Sequence, residues 1–231
     1  ADIVHHFIDS HTIHDPLTSA AYEREALAVL ETIFAKHDVA ILVGGSGMFI
    51  DALCNGLDDI PADLAVRAQL DERLKTEGTE ALQKALHEVD PDFYAQVDLQ
   101  NPMRIIRALE VFELTGKPFS TFKAFTPKKR FFEIQKFVID LPREMLYNRI
   151  NQRVDNMIQQ GLVEEAKSLH PFQHIPALNT VGYTELFAYF DHTTDLETAI
   201  ELIKRNSRRY AKRQLTWFRR DSRAVWLTET T

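Results

Sequence analysis

The chain has 231 residues, of which 45% are hydrophobic and 26% are charged, so it is long enough to bury a sizeable core in one or two domains. Its single cysteine, Cys54, excludes an internal disulfide and a cysteine-rich metal site. No signal peptide and no bilayer-spanning apolar run is visible, so we expect a soluble, cytoplasmic protein. The net charge of −7 argues against a general nucleic-acid-coating protein, but bases cluster near the C-terminus, so local patches matter more than the total.

The first elements in chain order predict a strand, a helix and a second strand. The stretch from Asp2 to Ile8 is strand-like, and Ser19 can cap a helix with apolar residues at helical spacing. Val39 to Val43 are apolar without alternation, which is typical of a parallel strand covered on both faces. This order is that of a βαβ unit, so the sequence predicts an α/β core.

A glycine-rich turn follows the second predicted strand. Gly44, Gly45 and Gly47 allow the backbone to turn sharply and to approach a ligand closely, and helical spacing resumes at Met48. The turn would place the Ser46 hydroxyl beyond the carboxyl end of the strand, where open α/β sheets bind ligands. A plain β-to-α turn with an incidental serine explains this stretch equally well.

The middle of the chain predicts an inserted helical domain. Strand patterns disappear, and helical patterns appear around Leu64–Leu74, Glu80–Val89 and Pro102–Leu114. Gly116 and Pro118 end the last of these helices, and a strand at 134–141 returns to the core. We therefore expect a core domain of residues 1–60 and 123–231 and a helical insertion of residues 61–122.

An arginine pair marks the helix that follows, for which Pro142 fits the first turn. Arg149 and Arg153 are four residues apart and therefore lie together along its flank. Arginine presents a planar fork of donors that matches phosphate oxygens, so the pair predicts a phosphate site, with a solvated charged face as the alternative. The histidines lack the context of a zinc site, although His5 and His6 could meet a phosphate.

The last long helix opens with a predicted capping box, Thr194 to Glu197, and is strongly basic. Six bases fall on two neighbouring lines at i, i+4 spacing, namely Arg205, Arg209 and Arg213 on one and Lys204, Arg208 and Lys212 on the other. Such bases without an interleaved acid repel one another unless an anion is present, which favours a polyanionic partner.

Five stretches resemble the tRNA dimethylallyltransferases in order and spacing: Leu42–Phe49, Asn101–Glu110, Arg149–Leu162, Asn179–Tyr183 and Tyr210–Phe218. The resemblance covers essentially the whole chain. It implies transfer of a dimethylallyl group from dimethylallyl diphosphate to the N6 amine of the adenosine just 3′ of the anticodon, with Mg²⁺ assisting the departure of diphosphate. It also implies a monomer with a P-loop NTPase-like parallel-sheet core and an insert that clamps the anticodon loop of tRNA.

The resemblance also assigns individual positions. Ser46 stands where the family has a catalytic threonine beside the acceptor amine, and Arg153, with Arg149 and His5, is assigned to diphosphate. The implied tRNA contacts are Arg67; Met103, Arg104, Ile105, Ile106 and Arg107; Asn179, Thr180, Val181, Gly182, Tyr183 and Thr184; and Arg205, Arg208, Arg209, Lys212 and Arg213. Met103 replaces the glutamine of the family motif, which removes one polar RNA contact.

The sequence also departs from the family at its start, which is not an initiator methionine and makes the chain look like a fragment. The family pattern begins with Gly-x-x-x-x-Gly-Lys-[Ser/Thr] and an Asp-Ser element whose aspartate accepts a proton from the acceptor amine. Neither is present here, and no metal site is evident within the chain. We therefore expect this chain alone to show no transferase activity, with RNA binding still open to it.

Two other functions fit parts of the pattern. A P-loop small-molecule kinase would turn over nucleoside triphosphate without RNA. A non-catalytic RNA-binding module would bind anticodon stem-loops with strong salt dependence and would not change their mass. The ordered set of motifs favours the transferase over both.

Overall fold

The computed structural model describes residues 3–58, 60–122 and 127–228. They form two compact units, one of Ala1–Cys54 with Arg130–Thr231 and one of Asn55–Lys129. The helices, in chain order, are α1 (Ser19–Phe34), α2 (Gly47–Asn55), α3 (Leu64–Glu77), α4 (Thr79–Val89), α5 (Pro91–Tyr94), α6 (Pro102–Thr115), α7 (Arg143–Gln159), α8 (Leu162–Leu169), α9 (Tyr183–Phe190) and α10 (Leu196–Phe218). The strands are β1 (Phe137–Ile139) and β2 (Val225–Leu227).

The first unit is built mainly from four helices that share a hydrophobic core. Val154 of α7, Ala166 of α8, Leu186 of α9 and Ile203 of α10 are all buried there. Each has further apolar residues on its own helix that pack against the same core. Fully burying one such leucine or isoleucine contributes about 1.5–3 kcal/mol.

A second cluster in this unit joins α1 to α2. The Tyr22 ring of α1 stacks on the Phe49 ring of α2, with centroids 5.0 Å apart, and Leu53 is buried beside them. Arg130 binds the two helices together, because its guanidinium donates to Glu23 at 2.7 Å and to the Leu53 carbonyl at 2.8 Å. This contact fixes the helix that follows the glycine-rich turn.

The sheet of the described residues is small. β1 and β2 are parallel, with Val138 opposite Trp226. The strand predicted at 134–141 is therefore present but is only three residues long. The observed class is a mostly helical α/β fold with a short parallel sheet, so the α/β prediction is confirmed at this level.

The predicted strands at 2–8 and 39–43 are wrong in this structure. Val39, Ile41 and Val43 are 72%, 84% and 86% exposed, and no described strand pairs with them. A strand requires hydrogen bonds to a neighbouring strand, which an apolar run alone cannot provide. Near the start of the chain, Phe7 has a φ of 62°, which interrupts an extended run, and Asp2 lies outside the described residues.

The second unit contains α3 to α6. Leu70, Leu82, Leu86, Ile105 and Ile106 are fully buried in its core. The ends of these helices follow local signals: the Asp63 carboxylate accepts from the Ala65 and Val66 N–H groups, and α6 ends at Gly116, which has a φ of 67°. The helical patterns predicted for this stretch are thus observed.

Two predicted caps are shifted by one residue. Thr18, not Ser19, caps α1, since its hydroxyl accepts from the Ala21 N–H at 3.1 Å. Asp195, not Thr194, caps α10, because its carboxylate accepts the Thr198 N–H at 2.7 Å and the Thr198 hydroxyl at 3.0 Å. A charged acceptor makes the stronger cap, which explains the preference for Asp195.

Candidate functional site

The turn that carries Ser46 is seated against the C-terminal end of α10. A Cβ built on Gly45 would lie 2.1 Å from Nε2 of Gln214, and one built on Gly47 would lie 2.3 Å from Cδ1 of Trp217. Only glycine permits so close an approach at these two positions. The Ser46 carbonyl accepts from the Ile50 N–H at 3.1 Å, and the residue itself is exposed, so its hydroxyl is accessible.

A charged network fixes α2 to the same region. Trp217 Nε1 donates to Oδ2 of Asp51 at 2.8 Å, and Lys136 Nζ lies 3.7 Å from Oδ1 of Asp51. Lys136 also donates to Asp221 at 2.7 Å, and hydrogen bonds from Arg223 and Lys136 hold the pKa of Asp221 well below its ordinary value. The Ser46 turn is therefore connected to α10 and to the segment leading into β1.

The two arginines of α7 form an exposed pair. Arg149 and Arg153 line an open groove of about 430 Å³ together with Gln152, Asn156, Met157 and Gln160. Across residues 3–58, 60–122 and 127–228, no side chain makes a hydrogen bond or ion pair with either guanidinium. The structure thus brings the predicted pair together on one face, with both charges available to an anion.

His5, the third residue assigned to diphosphate, lies in the exposed segment before α1. Its Nδ1 is 2.9 Å from the carbonyl oxygen of Ile3. Among the described residues, no hydrogen bond or ion pair joins His5 to the α7 arginines. Its predicted role remains a prediction.

Two of the arginines predicted to contact tRNA converge on a buried carboxylate in the second unit. Arg107 Nη1 donates to Oε2 of Glu110 at 2.9 Å and to the Pro61 carbonyl at 2.9 Å, and Nη2 donates to the Ile60 carbonyl at 3.1 Å. Arg67 Nη2 lies 3.7 Å from the same carboxylate. The Arg107 guanidinium is therefore committed to contacts within the protein.

The remaining residues of this motif divide between surface and core. Met103 and Arg104 are exposed at the start of α6, whereas Ile105 and Ile106 are 0% exposed. Apolar side chains in the centre of a packed helical core cannot reach a ligand, so Ile105 and Ile106 act through packing. Arg104 is the basic residue of the stretch that faces solvent.

The segment of residues 179–184 leads into α9, with Asn179, Thr180 and Thr184 exposed. Gly182 is buried with a φ of 107°, and its N–H donates to Oε2 of Glu185 at 2.7 Å. Asn206 of α10 donates to the other oxygen of that carboxylate at 2.7 Å. This segment is thus anchored to α10 while it presents three polar side chains.

Tyr183 and Val181 lie half-buried against the core of the four helices. The Tyr183 hydroxyl donates to Glu165, and burial together with this bond raises the pKa of Tyr183 to about 12. These two residues therefore support the segment and do not extend its exposed surface.

The basic face of α10 is divided between packing and solvent. Lys204 forms an ion pair with Asp155 of α7 at 2.8 Å, and Arg208 donates to Asn151 of α7 at 2.6 Å. Lys204 also pairs with Glu201 of α10 at 3.0 Å, so the prediction that these bases lack an acid is wrong for Lys204. The exposed basic residues are Arg205, Arg209, Lys212 and Arg213, and the Arg213 guanidinium lies 5.5 Å from the centre of the Tyr210 ring.

Sequence reasoning missed the contacts of Trp217 and Gln214 with the Ser46 turn and the hydrogen bond from Trp217 to Asp51. The bond between Trp217 and Asp51 joins residues 166 positions apart. No local pattern links such distant residues. The two glycines at 45 and 47 were the available signal, since close backbone approach implies a bulky neighbour.

The described residues contain no group of three or more His, Cys, Asp or Glu side chains that could hold a metal ion. The predicted magnesium stays a prediction. No helix in the described parts of the chain is both long and apolar enough to cross a membrane.

Comparison with known proteins gives one consistent family. The IPP transferase family model matches residues 1–221. The tRNA dimethylallyltransferase of Christiangramia forsetii is 49% identical over 98% of this chain and 75% of its own length. The tRNA dimethylallyltransferase 1 of Phocaeicola vulgatus is 47% identical, again over 98% of this chain, and over 76% of its own length.

Solved structures agree. The full-length tRNA isopentenylpyrophosphate transferase of Bacillus halodurans is 35% identical with a TM-score of 0.63, and the match covers 97% of this chain and 71% of that one. A eukaryotic dimethylallyltransferase has a TM-score of 0.75 at 24% identity, over 94% of this chain and 58% of its own, which shows the shared fold. With the ordered motifs and the exposed α7 arginines, these matches establish that the chain belongs to the IPP transferase family, the tRNA dimethylallyltransferases.

Proposed function

We propose that this chain forms the part of a tRNA dimethylallyltransferase that binds the donor diphosphate and the anticodon stem-loop. The family reaction is tRNA modification by prenyl transfer. We propose dimethylallyl diphosphate as the donor and the N6 amine of the adenosine 3′ of the anticodon as the acceptor. The observation that carries this proposal is the pair of exposed guanidiniums on α7, which have no partner among the described residues.

The role of the arginine pair follows from where charge develops in the reaction. When the bond from the allylic carbon to oxygen breaks, negative charge grows on the departing diphosphate. Arg153, supported by Arg149 one helical turn away, offers charge-assisted hydrogen bonds to those oxygens.

Ser46 is assigned to the acceptor substrate, the adenosine whose N6 amine is modified. Its exposed hydroxyl, at the start of α2, can accept a hydrogen bond from the adenine N6 amine and orient the nitrogen lone pair towards the allylic carbon. An exocyclic amine is a weak nucleophile and must lose a proton on attack. The family aspartate that accepts this proton is absent from this sequence, so we propose that the 231 residues alone give no product.

The RNA contacts in this proposal come from each of the two units separately. Arg205, Arg209, Lys212 and Arg213 of α10 would contact phosphates, the segment at residues 179–184 would contribute polar contacts, and Arg104 would contact the anticodon loop. The target base must leave its stack to reach the reacting groups, as base-modifying enzymes require. We propose a monomeric, cytoplasmic enzyme with a P-loop-like core, assisted by Mg²⁺ held outside the described residues.

Binding of inorganic diphosphate to the 231-residue chain tests the central step. We expect calorimetry to detect binding, and Arg153→Gln to weaken it by about tenfold or more, because a hydrogen bond to a charged group contributes about 1.5–3 kcal/mol. Arg143→Gln is the matched control, since Arg143 belongs to the same helix but lies over the Tyr147 ring. Equal affinity for wild type and Arg153→Gln would reject the assignment of diphosphate to this face.

A further inference from the structure

We infer that Trp217 and Asp51 are positioning residues for Ser46, through which α10 holds the glycine-rich turn in its reactive geometry. The inference rests on the proposed function, because it assigns these residues a role in that reaction. Neither residue needs to touch a substrate. They act by fixing the position of the Ser46 hydroxyl.

The first argument is steric. The indole ring of Trp217 occupies the space that a side chain at position 47 would fill, with Cδ1, Nε1 and Cγ at 2.3, 2.4 and 2.6 Å from a built Cβ. Real Cβ atoms do not make contacts this short, so the ring lies directly against the backbone of the residue after Ser46. A shift of the ring therefore changes the space available to the turn.

The second argument is the hydrogen bond that fixes the ring. Trp217 Nε1 donates to Oδ2 of Asp51 at 2.8 Å, and Asp51 lies one helical turn after Gly47 on α2. Lys136 lies 3.7 Å from the other carboxylate oxygen and is itself bound to Asp221. The indole is thus held in one orientation by the Asp51 carboxylate, which lies on α2, the helix that follows the Ser46 turn.

The third argument separates this role from ordinary core packing. Trp217 belongs to none of the hydrophobic clusters formed by the described residues. It is only partly buried, although a tryptophan is the largest apolar side chain available to a core. Its ring contacts the Gly47 backbone and Asp51, which belong to the Ser46 turn and its helix, and the Arg220 guanidinium lies 5.0 Å from the ring centre.

The position of Trp217 on α10 gives the inference a consequence for RNA recognition. Arg205, Arg209 and Arg213 follow one another at i, i+4 spacing, and Trp217 is the next residue on that line. The line spans about 18 Å along the helix axis. One continuous helix therefore carries both the exposed arginines proposed to bind RNA phosphates and the ring that seats the Ser46 turn.

The kinetic test uses this chain extended at its N-terminus by the family's phosphate-binding and aspartate motifs. We expect Trp217→Phe and Asp51→Asn each to lower kcat by about tenfold, since small displacements of reacting groups can cost up to about 100-fold. RNA affinity and Tm should stay near the wild-type values. The double variant should be no slower than the slower single variant, because Trp217→Phe removes the donor and Asp51→Asn removes the charge of the acceptor in the same hydrogen bond.

Two matched controls define the comparison. Trp226→Phe makes the same substitution in β2, where the ring lies under Arg219, and Asp191→Asn removes a carboxylate that pairs with His170 on the surface. Both should leave kcat unchanged. An unchanged kcat in Trp217→Phe and Asp51→Asn, or a loss explained by lower Tm, overturns the inference while the proposed function stands. An inactive wild-type enzyme overturns both.

A second measurement uses the 231-residue chain itself. The sequence contains two tryptophans, so its ¹H–¹⁵N spectrum should show two indole N–H resonances. Asp51→Asn should move the resonance that Trp217→Phe removes and leave that of Trp226 in place. If neither resonance moves, the Trp217–Asp51 bond is absent in solution and the inference fails.

Discussion

Arg107 provides the sharpest test of how the second unit is built, because the family resemblance assigns it to tRNA and the structure commits it to the protein. In Arg107→Gln, three hydrogen bonds are lost, to Glu110, Pro61 and Ile60, at 2.9, 2.9 and 3.1 Å. The Glu110 side chain is only 2% exposed, whereas that of Arg107 is 29% exposed. The substitution therefore removes the nearer of two cations from a buried carboxylate.

The magnitude follows from the burial of that carboxylate. Removing one partner of a buried ion pair costs about 3–5 kcal/mol, because the other charge remains buried and unpaired. Arg67 still lies 3.7 Å from Glu110, and Arg107 is partly exposed, which reduces the loss. We therefore expect Arg107→Gln to lower the free energy of unfolding by about 3 kcal/mol, the low end of that range.

The assay is urea unfolding followed by circular dichroism, with Arg104→Gln as the matched control three positions earlier on the same helix. Arg104 is exposed, so its substitution should change stability by no more than about 0.5 kcal/mol. Arg104→Gln should also weaken the salt dependence of RNA binding by the equivalent of about one phosphate contact. A loss below about 1 kcal/mol for Arg107→Gln would refute the claim that this arginine acts as an internal clamp.

Three further predictions concern the first unit. Gly47→Ala should destabilise the chain by about 1–3 kcal/mol in thermal unfolding, since the new methyl group would overlap the Trp217 ring, whereas Gly44→Ala, which meets nothing within 4 Å, should not. Tyr183 should titrate near pH 12, as measured by phenolate absorbance. Because its pKa is raised in the folded state, its contribution to stability should be present below about pH 10, the ordinary tyrosine pKa, and should be lost as the pH rises through 12. Phenolate formation complete by pH 11 would contradict this burial. Arg213→Gln should weaken stem-loop binding and reduce its salt dependence by about one contact, with an unchanged slope as the contrary result.

Features set by local spacing were accessible from the sequence. Arg149 and Arg153 had to share a face of α7 because residues four apart do so on any helix, and the structure brings them together on an open groove. Gly116 was predictable as the end of α6 for a similarly local reason. A residue in the left-handed conformation commonly follows the last turn of a helix, and glycine adopts that conformation readily. Such predictions need no knowledge of the rest of the fold.

Features set by distant partners were not accessible. The apolar run at 39–43 predicts a buried strand, yet burial and pairing depend on what lies beside it, and here its side chains are exposed. The helix face on which Arg107 lies was predictable from spacing. Its hydrogen bonds to the carbonyls of Ile60 and Pro61 were not, because these residues are 47 and 46 positions away in sequence. The basic lines of α10 were equally clear in sequence, although only packing shows that α7 neutralises Lys204.

The most direct test of the account is the mass of an anticodon stem-loop RNA, with adenosines at the last anticodon position and its 3′ neighbour, after incubation with dimethylallyl diphosphate and Mg²⁺. The account predicts a gain of one dimethylallyl group with the enzyme extended by the phosphate-binding and aspartate motifs, and no gain with the 231-residue chain alone. Binding of the RNA without any gain from the extended enzyme would contradict it and would identify the chain as an RNA-binding module.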